Sequence, residues 1–231
     1  MTGAEGSTGT YDEPVRFDCA TEAEAGIEAA AAALRAANLV VLPTDTVYGL
    51  AADAFDPSAV AKLLEAKGRG REMPPPVLIA DAVTLDALAA ERPPTWLREM
   101  LDELWPGPLT VVFKAQPSLT WDLGETYGTV AVRVPDHEVA RSVLRLAGPT
   151  AVSSANLSGQ PAATSVDEAQ SMLGESVSVY LDAGNSAGSL PSTILDATGP
   201  IPRVLRQGAI SIETLHKFNN TIEPFGGQAG A

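Results

Sequence analysis

Short apolar runs rich in valine and leucine recur along the chain, and most of them end at a proline or a polar residue. Examples are LVVLPT at residues 39–44, LTVVFKA at 109–115 and TVAVRVP at 129–135. Short runs of β-branched residues between turn formers are typical of buried strands. The sequence therefore predicts a sheet of many short strands. The other runs of this kind are VLIA (77–80), TAVSS (150–154), SVSVYLD (176–182), STILDA (192–197) and PRVLRQG (202–208). TVYGLAADAF (46–55) is predicted as a second extended segment close to LVVLPT.

Helical patterns lie between these runs but do not follow every one of them. The alanine-rich segment from Thr21 to Asn38 is predicted as a helix, with Thr21 as its N-cap and Glu24 three residues later. A second helix is predicted to begin at Pro57 and to end at Gly68. Because several strands follow one another directly, the pattern favours an α/β fold with a mixed sheet. Further helices are predicted over residues 82–90, 94–104, 136–146 and 210–218.

The composition fits one domain whose core consists of small apolar side chains. Of the 231 residues, 45% are hydrophobic and only 5% are aromatic, so alanine, valine and leucine must fill most of the interior. Residues 1–13 and 220–231 are predicted as flexible ends on either side of a domain over 14–219. The first residues have no basic start or apolar run like that of a signal peptide, and no stretch approaches the ~18 apolar residues of a membrane span. We therefore expect a cytoplasmic protein without membrane contact.

The net charge of −14 limits the ligands that the chain can bind. A broad nucleic-acid surface needs clustered lysine and arginine, whereas 15 basic residues stand here against 29 acidic ones. A small basic pocket within an acidic surface is compatible with this balance. A single cysteine, Cys19, and two histidines, His137 and His216, show no metal-ligand spacing. No G-x-G-x-x-G is present, so an NAD-dependent enzyme is not favoured.

Three cations lie within five positions after the second predicted helix. They are Lys67, Arg69 and Arg71, and the loop continues into three prolines. Such a cluster suits a polyphosphate, because arginine binds phosphate oxygens through two parallel hydrogen bonds. The alternative is a solubilising surface loop.

A second polar cluster follows the predicted strand TAV. Ser153, Ser154, Asn156, Ser158 and Gly159 offer hydroxyls, an amide and backbone N–H groups in one turn. These groups can hold phosphate or ribose oxygens, although the pattern of a Walker loop is absent. The alternative is an ordinary loop rich in serine and asparagine.

Other polar side chains stand at the ends of predicted strands. Arg133 ends TVAVR, and Arg206 lies among apolar neighbours in PRVLRQG. Thr44-Asp45-Thr46 follows one strand, and Ser192-Thr193 precedes another. Because α/β sheets place ligands in the loops at strand ends, this combination predicts a binding site.

These motifs, taken together and in order, resemble the short, single-domain form of the YrdC-like family of threonylcarbamoyl-AMP synthases. The resemblance covers most of residues 20–212. The matching segments are LPTDTVYGLAADA (42–54), KGR (67–69), WPGPLTVVF (105–113), TVAVRVPDH (129–137), PTAVSSANLSGQPAATS (149–165), STILDA (192–197) and VLRQGAI (204–210).

The resemblance implies an open, twisted mixed sheet with flanking helices around a large cationic cavity, formed by a YrdC-like catalytic domain over residues 14–219. It also implies a nucleotidyltransferase that converts ATP, L-threonine and bicarbonate, with Mg²⁺, into threonylcarbamoyl-AMP and pyrophosphate. A separate transferase complex would then pass the threonylcarbamoyl group to an adenosine of transfer RNAs that read codons beginning with A.

Carried over position by position, Lys67 and Arg69 match the family's catalytic phosphate ligands. The threonine ligands match Thr46, Arg133 and Ser192, with Arg133 facing the amino-acid carboxylate. No protein side chain is expected to hold a metal. The remaining ATP contacts match Thr129, Ser154, Asn156, Thr164 and Arg206.

The chain departs from the family's usual pattern at Gly70, Met73, Leu78 and Pro191. We therefore transfer no family role to residues 70–78, which follow the KGR motif. Two other functions remain open. One is the carbamoyl-transfer domain of hydrogenase maturation proteins, which are much larger chains with cysteine motifs. The other is an RNA-binding module of the same fold, for which the acidic balance predicts at most weak contact with transfer RNA.

Overall fold

The computed structural model describes residues 13–186, 188 and 190–226. Over these residues, ten strands form one mixed sheet, as the sequence predicts. The strands are β1 (Val15–Asp18), β2 (Val40–Leu42), β3 (Gly49–Asp53), β4 (Val77–Leu78), β5 (Leu109–Lys114), β6 (Thr129–Arg133), β7 (Thr150–Ser154), β8 (Val179–Asp182), β9 (Thr193–Asp196) and β10 (Arg203–Arg206). The helices are α1 (Ala23–Arg35), α2 (Pro57–Ala66), α3 (Leu85–Leu88), α4 (Thr95–Leu104), α5 (Glu138–Ala147), α6 (Val166–Leu173) and α7 (Ile212–His216).

The strand order differs strongly from the chain order. Across the sheet the strands run β1-β8-β2-β3-β7-β4-β6-β5-β9-β10. The pairs β1/β8, β2/β8, β4/β6 and β5/β9 are parallel, and the other five are antiparallel. This order brings the ends of strands that are remote in sequence next to one another.

Helices cover both faces of the sheet. In β2, Val40 and Leu42 pack in one apolar cluster and Val41 in the other, as the two-residue period of a strand requires. Helices α1 and α5 cover the first face, and α2, α4 and α6 cover the second. Alanine, valine and leucine form most of both clusters, in agreement with the composition.

Helix α2 forms as the sequence predicts. The Asp56 carboxylate accepts hydrogen bonds from Ser58 N (2.8 Å) and Ala59 N (3.1 Å), which caps the first turn. Pro57 begins the helix, and Gly68 after its end adopts a φ of 61°, a left-handed conformation typical of a helix C-terminus. The start of the loop that carries Lys67 and Arg69 is therefore fixed by the C-terminal end of α2.

Helix α1 begins later than predicted, and Thr21 is not its N-cap. The helix starts at Ala23, because the chain after β1 first forms a turn of its own. In that turn the backbone N–H groups of Thr21 and Glu22 bond to Asp18 O, and Ala20 N bonds to the Asp18 carboxylate.

The segment over residues 82–90 is not one helix. It forms a 3₁₀ turn at Ala82–Thr84 and then the short helix α3. The helix stops because Ala90 N bonds to Lys114 O of β5, which pulls the chain toward the sheet. Two described elements, β1 and α6, were not predicted at all.

The C-terminal end remains packed beyond residue 219. Ile222 is buried, and its carbonyl bonds to a ring nitrogen of His216. Glu223 pairs with β10 through hydrogen bonds to Pro202 and Val204. The predicted flexible tail therefore does not begin at residue 220. Residues 1–12 of the predicted flexible start, and residues 227–231, lie outside the described residues.

A cavity of about 510 Å³ lies between α1 and α5, with Glu24, Glu28 and Arg145 among its lining residues. It does not include the cations that the sequence places in the site. In the part of the chain that the structure describes, no helix is both long and apolar enough to cross a membrane.

Candidate active site

Most of the predicted site residues lie where several strand ends and loops approach one another. The β2–β3 connection contacts the end of β6, the loop after α2 contacts the turn after β7, and β10 contacts the start of β9. Reduced hydration lowers the pKa of Arg206, and the charges of Arg133 and Arg69 lower it further. The three guanidinium groups therefore share one electrostatic environment.

Lys67 is fully buried and holds the turn after β7. Its Nζ atom donates hydrogen bonds to the backbone carbonyls of Ser154 and Asn156, the latter at 2.7 Å. Its own carbonyl accepts a bond from Ser158 N at 2.9 Å. Burial, followed by the charge of Arg69, lowers the pKa of Lys67 to about 8. Two of the predicted nucleotide motifs, KGR and SANLSG, are thus one connected unit.

The turn after β7 is also fixed from within. Asn156 Nδ2 donates to the carbonyls of Leu157 and Gln160, both at 2.8 Å. Ala155 N bonds to Tyr48 O at 2.8 Å, which ties the turn to the β2–β3 connection. The Asn156 amide therefore sets the shape of this turn.

Arg69 is a half-buried cation with unused donors. Its Nη1 atom lies 3.3 Å from Ser153 Oγ, and its buried Nε has no hydrogen-bond partner among the described residues. Burial lowers the pKa of Arg69, although the charge of Glu72 opposes this shift. A guanidinium in this condition is suited to an anionic ligand.

Arg71, the third cation of the sequence cluster, does not join the others. Its side chain is 57% exposed and forms an ion pair with Asp122 at 2.7 Å. The surface-loop alternative therefore describes Arg71, whereas Lys67 and Arg69 turn inward.

Arg133 is buried at the end of β6 and has three fixed contacts. Nε donates to Gly107 O at 2.9 Å, Nη1 to Thr46 Oγ1 at 3.1 Å and Nη2 to Asp45 Oδ1 at 2.6 Å. Burial lowers the pKa of Arg133, and the Asp45 carboxylate opposes this shift. Sequence reasoning noted Asp45 in the polar tripeptide after β2 but gave it no role.

Ser192 and Arg206, which the resemblance places with different substrates, are in direct contact. Arg206 Nη2 lies 3.0 Å from Ser192 Oγ, and both Nε and Nη2 bond to Ser192 O. Ser192 Oγ also lies 2.8 Å from Thr110 Oγ1 on β5. The predicted threonine and ATP residues therefore adjoin at this point.

Thr129 and Thr164 lie further from the guanidinium groups in the hydrogen-bond network. Thr129 starts β6, at the opposite end of that strand from Arg133, and its hydroxyl bonds to Thr126 O at 2.8 Å. The hydroxyl and backbone N–H of Thr164 both bond to the Glu168 carboxylate. Both hydroxyls thus have local partners.

The histidines are not arranged as metal ligands. His137 lies at the start of α5, and His216 bonds to the backbone at the C-terminal end. Among the described residues, no group of three or more His, Cys, Asp or Glu side chains could hold a metal ion.

The fold and the site define a class: an α/β protein with a mixed sheet whose strand-end loops gather arginines and hydroxyls around a place for anions. Within this class, the chain belongs to the Sua5/YciO/YrdC family. The family model, which carries the description "Telomere recombination", matches residues 32–208.

Relatives in several organisms are similar over most of this chain. A provisionally named threonylcarbamoyl-AMP synthase of Mycobacterium tuberculosis is 52% identical over 201 residues, which are 86% of this chain and 92% of that protein. The threonylcarbamoyl-AMP synthase of Pyrococcus abyssi is 38% identical over 198 residues, 85% of this chain and 58% of that protein. The crystal structure of P. abyssi Sua5 complexed with L-threonine aligns with a TM-score of 0.84 and 34% identity, over 91% of this chain and 62% of that one. The chain thus spans nearly all of the mycobacterial relative and about three fifths of the archaeal one.

Proposed function

We propose that the chain is a nucleotidyltransferase that forms threonylcarbamoyl-AMP and pyrophosphate from ATP, L-threonine and bicarbonate. The observation that carries the proposal is the meeting of Arg69, Arg133 and Arg206 with the hydroxyls of Thr46 and Ser192. Proteins named threonylcarbamoyl-AMP synthases, one of them 52% identical, support it.

Threonine binds near Arg133. The remaining N–H groups of the Arg133 guanidinium bind the amino-acid carboxylate through two parallel hydrogen bonds. The hydroxyl of Thr46 contacts Arg133, the hydroxyl of Ser192 contacts Arg206, and both offer partners for the polar groups of the substrate. A site built around a substrate hydroxyl can discriminate against an analogue without it by ~10⁴. The archaeal Sua5 that was crystallised with L-threonine supports threonine as a substrate.

ATP binds beside it, on the other side of Arg206. Arg69 and Arg206 face the phosphates, and Lys67 contributes its charge while it holds the turn of Ser154 and Asn156. The family resemblance adds Thr129 and Thr164 to this subsite. Mg²⁺ enters as part of the substrate, bound to the ATP phosphates, whose oxygens are the ligands that it prefers.

The chemistry needs charge neutralisation and positioning more than a strong base. The threonine amine and bicarbonate combine to a carbamate with loss of water, and a carbamate oxygen then attacks the α-phosphorus while pyrophosphate leaves. Two anions must meet in this step. Guanidinium groups fixed in advance lower the barrier by stabilising the charge and holding the reactants in line. Arg69, Arg133 and Arg206 supply such groups.

The product is an activated mixed anhydride, so it needs a prompt acceptor. We place the chain before a threonylcarbamoyl transferase complex that modifies an adenosine of transfer RNA. The chain itself then needs no extended RNA surface.

A direct product assay tests the proposal. The purified chain is incubated with ATP, Mg²⁺, threonine and ¹³C-bicarbonate, and threonylcarbamoyl-AMP is measured by mass spectrometry. We expect a labelled product that disappears when any one substrate is omitted, with an equal amount of pyrophosphate. Pyrophosphate release that does not depend on threonine, or no labelled product under conditions in which a relative is active, would contradict the proposal.

A further inference from the structure

The carboxylate of Asp45 connects two parts of the site that the chain order keeps apart. Asp45 lies between β2 and β3, and β7 and β4 separate β3 from β6 in the sheet. Its Oδ1 atom nevertheless accepts hydrogen bonds from Arg133 Nη2 at 2.6 Å and from Asp136 N at 2.9 Å. One oxygen thus holds both the guanidinium and the loop that follows it.

The ion pair between Arg133 and Asp45 is largely shielded from solvent. The Arg133 and Asp45 side chains are 7% and 14% exposed, and the other Asp45 oxygen is buried without a hydrogen-bond partner. A charge-assisted bond in such surroundings is strong and directional because little water screens it. Of the three fixed contacts of Arg133, only the contact with Asp45 involves a charge.

The three contacts also determine which donors remain free. A guanidinium has five N–H groups, and Gly107, Thr46 and Asp45 engage three of them. The other two belong to Nη1 and Nη2, so each of these nitrogens keeps one N–H group for a ligand. The direction of these two N–H groups depends on the orientation of the guanidinium plane. The hydrogen bond from Nη2 to Asp45 helps to fix that orientation.

We propose that Asp45 is a positioning residue for threonine binding, which acts through Arg133 and does not itself touch the substrate. This inference rests on the proposed role of Arg133. Without the Asp45 carboxylate, Arg133 keeps its charge but loses its orientation, and Asp136 N loses its acceptor. Threonine binding then weakens, whereas the ATP subsite around Lys67 and Arg69 keeps its contacts.

Steady-state kinetics with Asp45→Ala and Asp45→Asn test the inference. Asp45→Ala is expected to raise the KM for threonine about tenfold or more, the loss typical of one hydrogen bond to a charged group, and to change the KM for ATP less than about twofold. Asp45→Asn keeps an acceptor at Oδ1 but loses the charge, so its KM for threonine should lie between those of wild type and Asp45→Ala. Asp53→Ala is the matched control, because the Asp53 carboxylate also accepts a backbone hydrogen bond but lies at the far end of β3.

A double-mutant cycle separates positioning from a general loss of stability. In an Arg133→Lys background, Asp45→Ala should change the KM for threonine by less than about twofold, because the group that it orients is already gone. Calorimetry supplies a second readout. Threonine methyl ester, which has no carboxylate charge, should bind wild type and Asp45→Ala equally, whereas threonine should not.

Several outcomes would overturn the inference: equal effects on both KM values, additive effects of Asp45→Ala and Arg133→Lys, or equal loss of threonine and ester binding. If Asp45→Ala does not fold, Asp45→Asn takes its place, and ester and threonine affinities that fall together decide against the inference. A wild-type chain that forms no product contradicts the proposed function instead. Threonine binding to wild type and variant still tests Asp45 in that case.

Discussion

Lys67 and Arg133 are the most buried cations of the site, and they are stabilised differently. Arg133 has a carboxylate beside it, whereas the hydrogen bonds of Lys67 go to the carbonyls of Ser154 and Asn156 and to the Asn156 side chain. Carbonyl dipoles compensate a buried ammonium less well than an anion does. Lys67 therefore fixes the turn after β7 at a cost to the stability of the fold.

This cost predicts a pH dependence of stability. The pKa of Lys67 is lowered from 10.5 to about 8 in the folded chain, so between these values the unfolded state binds more protons. The free energy of unfolding therefore rises with pH in this window, as far as Lys67 is concerned. Lys67→Met lacks this contribution. We expect the urea unfolding midpoint of wild type to rise relative to that of Lys67→Met between about pH 8 and 10.5. Lys62→Met, at an exposed position of α2, is the control, and a parallel pH dependence in wild type and Lys67→Met would contradict the prediction.

The separate surroundings of Arg133 and Arg69 predict separate effects on the two substrates. Lysine keeps the charge but cannot form two parallel hydrogen bonds. Arg133→Lys should therefore raise the KM for threonine roughly ten- to a hundredfold and leave the KM for ATP nearly unchanged. Arg69→Lys should do the reverse. Pyrophosphate release measures both, with circular dichroism to verify folding. Equal losses for both substrates in both variants would mean one shared cationic pocket.

At this scale, the sequence predicts which residues gather but not which of them touch. Spacing along a loop does not reveal that Arg69 turns inward while Arg71 pairs with Asp122. The contact between Asp45 and Arg133 depends on the strand order, which no local pattern determines. The resemblance names ligands, so it passes over a residue that orients a ligand.

The motifs STILDA and VLRQGAI form one structural unit, the antiparallel pair β9/β10. Gly208 passes so close to β9 that an added Cβ would lie 2.3 Å from Pro191 O. The hydroxyl of Thr193 accepts hydrogen bonds from Gly208 N and Ile210 N. These bonds hold the segment around Gly208 against the start of β9. This close approach keeps Arg206 against Ser192.

A methyl group at Gly208 should therefore disturb both subsites together. Because the nearby atoms belong to the backbone, Gly208→Ala must shift one of the two segments, and overpacking of this kind costs about 1–3 kcal/mol. We expect a lower urea midpoint and higher KM values for both threonine and ATP. Gly199→Ala is the control, since its Cβ would meet nothing closer than 3.8 Å. Wild-type kinetics in a folded Gly208→Ala variant would contradict this account.

The elements that the sequence failed to predict are those in which local signals are weak. Strand β1 has only four residues, and alternate residues are exposed, so it resembles a polar start of the chain. Helix α6 has only eight residues after its N-cap Ser165. It directly follows a polar turn, so its short apolar pattern was not recognised as a helix. Long apolar runs such as β5 and β6 were predicted because their composition alone excludes exposure.

On the scale of the whole molecule, several surface cations form ion pairs with acids, apart from the cations of the site. Arg16 forms ion pairs with Asp167 and Asp182, and Arg141 and Arg145 pair with Glu138. These acids offset part of the exposed positive charge. With a net charge of −14, the surface as a whole repels a long polyanion, whereas a small anion can reach Arg69 and Arg206.

This distribution predicts weak and salt-sensitive binding of transfer RNA. Exposed contacts to phosphate depend on counterion release, so an affinity without a basic surface should stay weaker than about 1 μM at physiological salt and vanish as salt rises. ATP binding should persist over the same range, because half-buried charge pairs are screened less. Fluorescence anisotropy with labelled transfer RNA, and calorimetry with ATP in the same buffers, make the comparison. Sub-micromolar RNA binding that survives high salt would contradict a role confined to small substrates and would favour the RNA-binding alternative.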